Sequence, residues 1–390
     1  MAIHSGSRND PYGLPGLAHF VEHMLFKGTE RRRAWHILNR MEVVGGELNA
    51  YTTKEHTFVY AISPRRDLRR AMELLADILF HSTFPSHEIE RERVVVADEI
   101  NLYKDTPSDM IYDDFDELFF VDPALAHPIL GTPESLSRMT TELCRSYMLH
   151  AMRPSNLVLF CMGQLSPERF VSLTERYFGS EEMLADEPIL SDGEGRRVPD
   201  TFRFNEVKET DTYQTHTLLG GRAPGMHGEL RRESALLLNH LAGPGMNTLL
   251  NVALREKKGW VYSVEGEVST LEDIGWWQIY FGSDPTNADA ALTLTLKTLG
   301  ELRENGMSER TLKAWVKQIK GQLALSAENA ESRFLSFGKQ MLHFGEFVDL
   351  PGMYERLDRI TTESVKEAAE LLFDPENINT YIYRQKCKRR

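Results

Sequence analysis

Apolar residues recur at three- and four-residue spacing in "HFVEHMLF" (19–26), in "DLRRAMELLADILFHS" (67–82) and in the long segment "PSHEIERERVVVADEINLYKD" (85–105). That period predicts helices. Between the first two, "GGELNAYTTKEHTFVYAI" (45–62) alternates apolar and polar positions and predicts strands. The same succession returns later in the chain. A helical "ESALLLNHLAG" (233–243) precedes the strand-like "GWVYSVEGEVSTLEDIGWWQIYF" (259–281), then come helical patterns at 288–305 and from "MSERTLKAWVKQIKGQLALS" (307–326). Aligning Ser86 with Ser308 sets an offset of 222, which lays Glu92 over Ala314 and Glu99 over Gly321. The pattern therefore predicts an α+β chain of two homologous domains, each a mainly antiparallel sheet packed against helices. "SEEMLADEPILSDGEGRRVPDTF" (180–202), rich in acid, Pro and Gly, breaks the periodicity, so the expected division is 1–180, a linker 181–202, and 203–390.

Composition removes several function classes. The 390 residues exceed one typical core, and 41% hydrophobic with 26% charged residues is ordinary for a globular protein. No apolar run reaches the ~18 residues a membrane span needs, and "MAIHSGSRND" has neither the basic start nor the apolar stretch of a signal peptide. Three widely spaced cysteines, Cys144, Cys161 and Cys387, argue against a disulfide framework and for a reducing, cytoplasmic setting. A net charge of −13 argues against nucleic acid as a partner and is compatible with basic peptides. The C-terminal "RQKCKRR" reads as a solvated end.

The chemistry concentrates in "GLPGLAHFVEHMLFKGT" (13–29), where His19, Glu22 and His23 fall within five positions. Residues four apart share a helix face, so His19 and His23 can aim two imidazoles at one ion. Zinc takes neutral imidazole nitrogen, and a catalytic site uses three protein ligands and one open position. Glu22 then projects beside the ion as a candidate general base. Such a triplet arises by chance in about one chain in twenty of this size. An amphipathic helix carrying two histidines is therefore the competing reading. The segment 85–105 adds Glu92 and Glu99, two helical turns apart on one face, in the middle of "RVVVA" where an apolar core contact is expected. By spacing alone, a metal-facing pair and a solvated face stand even.

In order and spacing, "GLAHFVEHMLFKGT", "GGELNAYTTKEHTFVYA" and "ERERVVVADEI" resemble the pitrilysin/insulinase-type zinc metallopeptidases, in particular the shorter two-domain members that include processing peptidases. His-x-x-Glu-His is the inverted zincin signature. The resemblance implies one Zn²⁺ per chain, held by His19 and His23, with Glu22 as catalytic base. It implies Glu99, 76 positions after His23 (99 − 23), as third ligand, and Glu92 as a supporting carboxylate. In "LREKKGWVYSV" it implies a substrate-binding pair, Arg255 and Tyr262, that steadies the developing oxyanion, with "GPGMNTLL" (243–250) as the preceding glycine-rich loop. Their unaided readings are a surface arginine and a strand tyrosine packed in the sheet. "GGELNAYTT" would be an edge strand to which a substrate peptide adds, with Asn49 and Ala50 at the contact. Relatives begin with one more strand-forming stretch, so the first sheet is expected to lack an edge partner.

The implied activity is zinc-dependent endopeptidase action on peptides or unfolded segments inside a homodimeric chamber, Arg255 and Tyr262 serving the partner's zinc site. The alternative is a non-catalytic peptide-binding or structural subunit of a related complex. The histidine pair has no counterpart in the second half, as a duplication that kept its chemistry on one side would leave it. His56 and His216, in strand-like stretches, read as structural or surface residues.

Overall fold

The computed structural model describes residues 1–179, 181, 183 and 198–386. Most of the expected linker 181–202, and Cys387 with the end of the basic tail, lie outside the described residues. The architecture is α+β, and the chain separates into two compact units.

The first unit contains β1 (Ala2–Ile3), α1 (Leu17–Met24), α2 (Ala34–Glu42), β2 (Glu47–Thr52), β3 (Thr57–Ile62), α3 (Leu68–Phe80), α4 (Ser86–Lys104) and β4 (Leu157–Val158). Its strands form an antiparallel sheet in the order β2-β3-β1-β4. β2 and β3 are a hairpin joined at Lys54 and Glu55, registered Thr52 to Thr57 and Ala50 to Val59. Thus β2 is the outer strand, paired with β3 alone among the described residues. α1 starts where Gly16, at φ 87°, turns the chain in a conformation that disfavours a side chain. The Asp10 carboxylate accepts from the otherwise unpaired amides of Gly16 (2.7 Å) and Ala18 (2.8 Å) at that end. Leu17, Phe20, Val21 and Met24 then bury one face of α1 against Leu74, Ile78, Val96 and Ile100.

The second unit is built on a five-stranded sheet of β5 (Asn205–Thr210), β6 (Thr215–Ala223), β7 (Val261–Thr270), β8 (Gly275–Ser283) and β9 (Asn379–Gln385), in the order β5-β9-β6-β8-β7. Only β5–β9 is a parallel pair among these. One face holds a core of Trp277, Ile279 and Phe281 with Leu236 and Leu299, from helices Arg231–Ala242 and Ala288–Asn305.

The units are discontinuous along the chain, and here the expected continuous halves need correcting. Unit one comprises Met1–Leu102, His127–Gly193 and Ala330–Phe347; unit two comprises Tyr103–Ala126, Glu194–Asn329 and Val348–Arg390. The cause is packing. Phe334, Leu335, Phe337 and Leu342 of helix Ala330–Phe344 join a cluster with Phe58, Tyr60 and Phe160 of the first sheet. Ile111, Phe115 and Phe119 of helix Pro107–Phe119 pack with Leu218, Trp276 and Tyr280 of the second. Each segment covers the sheet face left bare by its unit's other helices. Within "RVVVA" the expected core contact is made by Val96, while Val94 and Val95 are exposed; α4 meets the core through Ile89, Val96 and Ile100. No described helix is long and apolar enough to cross a membrane.

Candidate metal centre

The four-residue spacing on α1 brings the His19 and His23 rings to 4.6 Å between centroids. α4 presents Glu99 to both: Oε1 lies 3.9 Å from His19 Nε2, and Oε2 lies 3.6 Å from His23 Nε2. One ligand atom from each of the three residues falls within 4.8 Å of the other two. That triangle is wide for direct bonding among the groups and suited to converging on an ion at the ~2 Å of zinc–ligand bonds.

The surrounding groups fit that use. Glu92, 3% exposed, accepts from His23 Nδ1 at 2.8 Å. An ionised carboxylate only accepts, so the His23 proton sits on Nδ1 and the Nε2 lone pair faces the cluster. The other Glu92 oxygen is 2.6 Å from the Lys27 ammonium. Burial alone would raise the Glu92 pKa, but the bonds from His23 and Lys27 outweigh it and hold the carboxyl below its ordinary range. His19 is lowered to about 4 by burial, with His23 adding to the shift, so its imidazole is neutral at pH 7. His19 Nδ1 is buried without a hydrogen-bond partner. His23 is raised: burial lowers it, but Glu92, Glu99 and Glu22 together prevail.

Glu22 stands on the same helix but bonds elsewhere. The Thr52 hydroxyl, from β2, donates to Glu22 Oε2 at 2.6 Å, leaving Oε1 without a hydrogen-bond partner among the described residues. Burial raises the Glu22 pKa and nearby Glu99 adds to the rise, while Thr52 and His23 oppose it.

The edge strand can be read amide by amide. Thr53 N–H donates to His56 C=O at 2.8 Å across the hairpin. Pairing alternates along an antiparallel ladder, so Tyr51 and Asn49 also spend their main-chain groups on β3. Thr52, Ala50 and Leu48 then turn theirs to the open edge. Ala50 offers backbone there, whereas Asn49 has only its side chain, which meets the Tyr60 hydroxyl across the strand pair.

Arg255 and Tyr262 lie in the second unit. Arg255 is carried by a π-helical turn, Asn251–Glu256, and its guanidinium carbon sits 5.3 Å from the Tyr262 ring centroid. A register shift between Val261 and Val264 marks a bulge beside Tyr262, a residue 79% exposed rather than packed in the sheet. Two donors thus stand together on a surface. The preceding 243–250 loop is pinned by Gln322 Nε2 on the Pro244 carbonyl (3.1 Å) and by the Asn247–Gln318 amide pair.

His56 is buried, with Nδ1 3.3 Å from His343 Nε2, and His216 Nδ1 meets the Tyr280 hydroxyl at 2.8 Å. Two site residues escaped the sequence reading. Lys27 follows His23 by four positions, a spacing that could have marked it. Thr52 carried no signal beyond its place in the predicted strand.

A family model described as "Insulinase (Peptidase family M16)" matches residues 1–133, and one described as "Peptidase M16 inactive domain" matches 138–319. An uncharacterized zinc protease of Bacillus subtilis is 32% identical over 371 residues, covering 95% of this chain and 89% of the relative. An uncharacterized zinc protease of Mycobacterium tuberculosis is 32% identical over 367 residues, covering 94% and 83%. The fold is shared with the crystal structure of a protease from Helicobacter pylori, at TM-score 0.88 and 20% identity over 98% of this chain and 92% of that one. A structure titled as a peptidase M16 inactive domain from Pseudomonas fluorescens also gives TM-score 0.88, at 19% identity over 100% and 92%.

Proposed function

The chain belongs to the insulinase family of peptidases, family M16, and from that membership we propose that it is a zinc-dependent endopeptidase acting on peptides or unfolded segments. The observation that carries this reading is the convergence of His19, His23 and Glu99 beside a carboxylate, Glu22, with one oxygen uncommitted. His19, His23 and Glu99 would hold the ion, one per chain, and Glu92 with Lys27 would keep His23 oriented. Bound there, Zn²⁺ would supply Lewis acidity, polarising a carbonyl oxygen and lowering the pKa of a water to about 7. Glu22 Oε1 takes the proton of the attacking water and passes it to the departing amine nitrogen. The substrate strand adds to the open edge of β2, bonding to the main chain of Ala50 while Asn49 contributes its side chain. Main-chain bonding of this kind binds extended peptides with little regard to sequence, which favours unfolded substrates.

Arg255 and Tyr262 would donate to the oxygen on which negative charge develops. In our reading they serve the zinc site of a second copy of the chain, making the active species a homodimer enclosing its substrate. A non-catalytic peptide-binding subunit is the second reading, in keeping with the likeness of residues 138–319 to the peptidase M16 inactive domain. The complete set of His19, Glu22, His23 and Glu99 weighs against it. Metal analysis joined to peptide-cleavage mapping, on wild type and Glu22→Gln, separates the two. Zinc-loaded protein that cleaves no member of a diverse peptide library would favour the second.

A further inference from the structure

We propose that Thr52 is a positioning residue that couples occupancy of the β2 edge to the orientation of Glu22. The proposal rests on the reading of the site as a peptidase and adds to it how peptide binding and the base communicate. Two independent observations meet in this residue. Its hydroxyl donates to Glu22 Oε2 at 2.6 Å. Its main-chain N–H and C=O face the open edge, because Thr53 N–H bonds across the hairpin to His56 C=O and the alternating ladder next spends the groups of Tyr51 on β3.

The hydroxyl has one proton, and an ionised carboxylate claims it. Thr57 Oγ1, 3.3 Å away across the strand pair, sends its own proton to the Ser5 carbonyl at 2.9 Å. Thr57 therefore leaves the Thr52 proton to Glu22 and does not compete for it. A β-branched side chain has few χ1 states, so fixing the Thr52 backbone also fixes where its hydroxyl points. An added peptide strand would bond to that backbone. The clamp on Oε2 then tightens when a scissile segment lies on the edge, with Oε1 left to take the proton.

The test uses the full-length, zinc-loaded protein and an internally quenched, unstructured peptide. Thr52→Val keeps the shape and removes the donor; kcat is expected to fall about 10- to 100-fold with KM within about twofold. Thr52→Ser, which keeps the hydroxyl, is expected to restore kcat to within about threefold of wild type. In the Glu22→Gln background, adding Thr52→Val is expected to lower the rate no further, since both changes remove the same oriented base. Zinc content, and peptide affinity of Glu22→Gln measured by fluorescence anisotropy, should be unmoved by Thr52→Val. If the valine variant does not fold, Thr52→Ala carries the same expectations. An unchanged kcat in Thr52→Val, a serine variant as slow as the valine one, or a loss confined to KM or zinc content overturns the proposal. Wild-type protein that cleaves nothing would overturn the peptidase reading itself, and this coupling with it.

Discussion

His23 Nδ1 and Glu92 Oε1 are 2.8 Å apart, and the same carboxylate reaches the Lys27 ammonium at 2.6 Å. A buried charge is tolerated when it is paired on both sides, and this one is. Its effect on function is to set the His23 tautomer. Glu92→Gln is therefore expected to weaken zinc binding about 10- to 100-fold without removing a ligand. Competition against a chelator of known affinity reads this directly. An unchanged dissociation constant would reduce Glu92 to a core ion pair.

Glu22→Gln should keep its zinc while kcat falls by about 10²- to 10⁴-fold, the usual contribution of a positioned base. The amide preserves size and the Thr52 contact but cannot take a proton. Cleavage at the wild-type rate would refute the assignment of Glu22.

Arg255→Ala and Glu22→Gln should each be nearly inactive alone, and mixing them tests the dimer. If Arg255 serves the partner's zinc site, each mixed dimer holds one complete site. Free exchange of equal amounts then restores about a quarter of wild-type activity, half of the dimers being mixed with one of two sites whole. If Arg255 acts within its own chain, mixing restores nothing.

His240 offers a pH test away from the metal. Burial, against the Trp315 ring at 4.5 Å, lowers its pKa from 6.5 to about 4. Below pH 6.5 the unfolded chain takes up a proton that the folded chain refuses until about pH 4. Stability is thus fully present above that window and is lost as pH falls through it. In chelator-treated protein the melting temperature should drop between pH 6.5 and 4, and His240→Gln should flatten part of that slope. His19, at about 4, and His56, at about 3, add to the same trend, so the flattening is partial. An identical slope in the variant would contradict the burial argument.

Removing the ion is expected to abolish cleavage and to lower the melting temperature, since metal that binds only the folded state stabilises it by mass action. Re-addition of Zn²⁺ should restore both. Activity that survives exhaustive chelation would refute the zinc chemistry.

Local pattern was enough for the helices at 17–24 and 86–104, the hairpin at 47–62 and their repeat in the second half, because helix and strand periods are written into neighbouring residues. His19 and His23 were legible for the same reason, since a four-residue spacing on one helix is a geometric statement, whereas Glu99 was singled out as third ligand only by the family resemblance. Tertiary structure alone decided three things. It sent Val94 and Val95 outward and buried Glu92, because Lys27 and His23 came from another segment to neutralise it. It moved helix Ala330–Phe344 into the first unit and Pro107–Phe119 into the second, because aromatic faces find complementary surfaces regardless of chain position. And it placed a threonine from an edge strand on the carboxylate of Glu22, 30 residues away, a contact that no local period encodes.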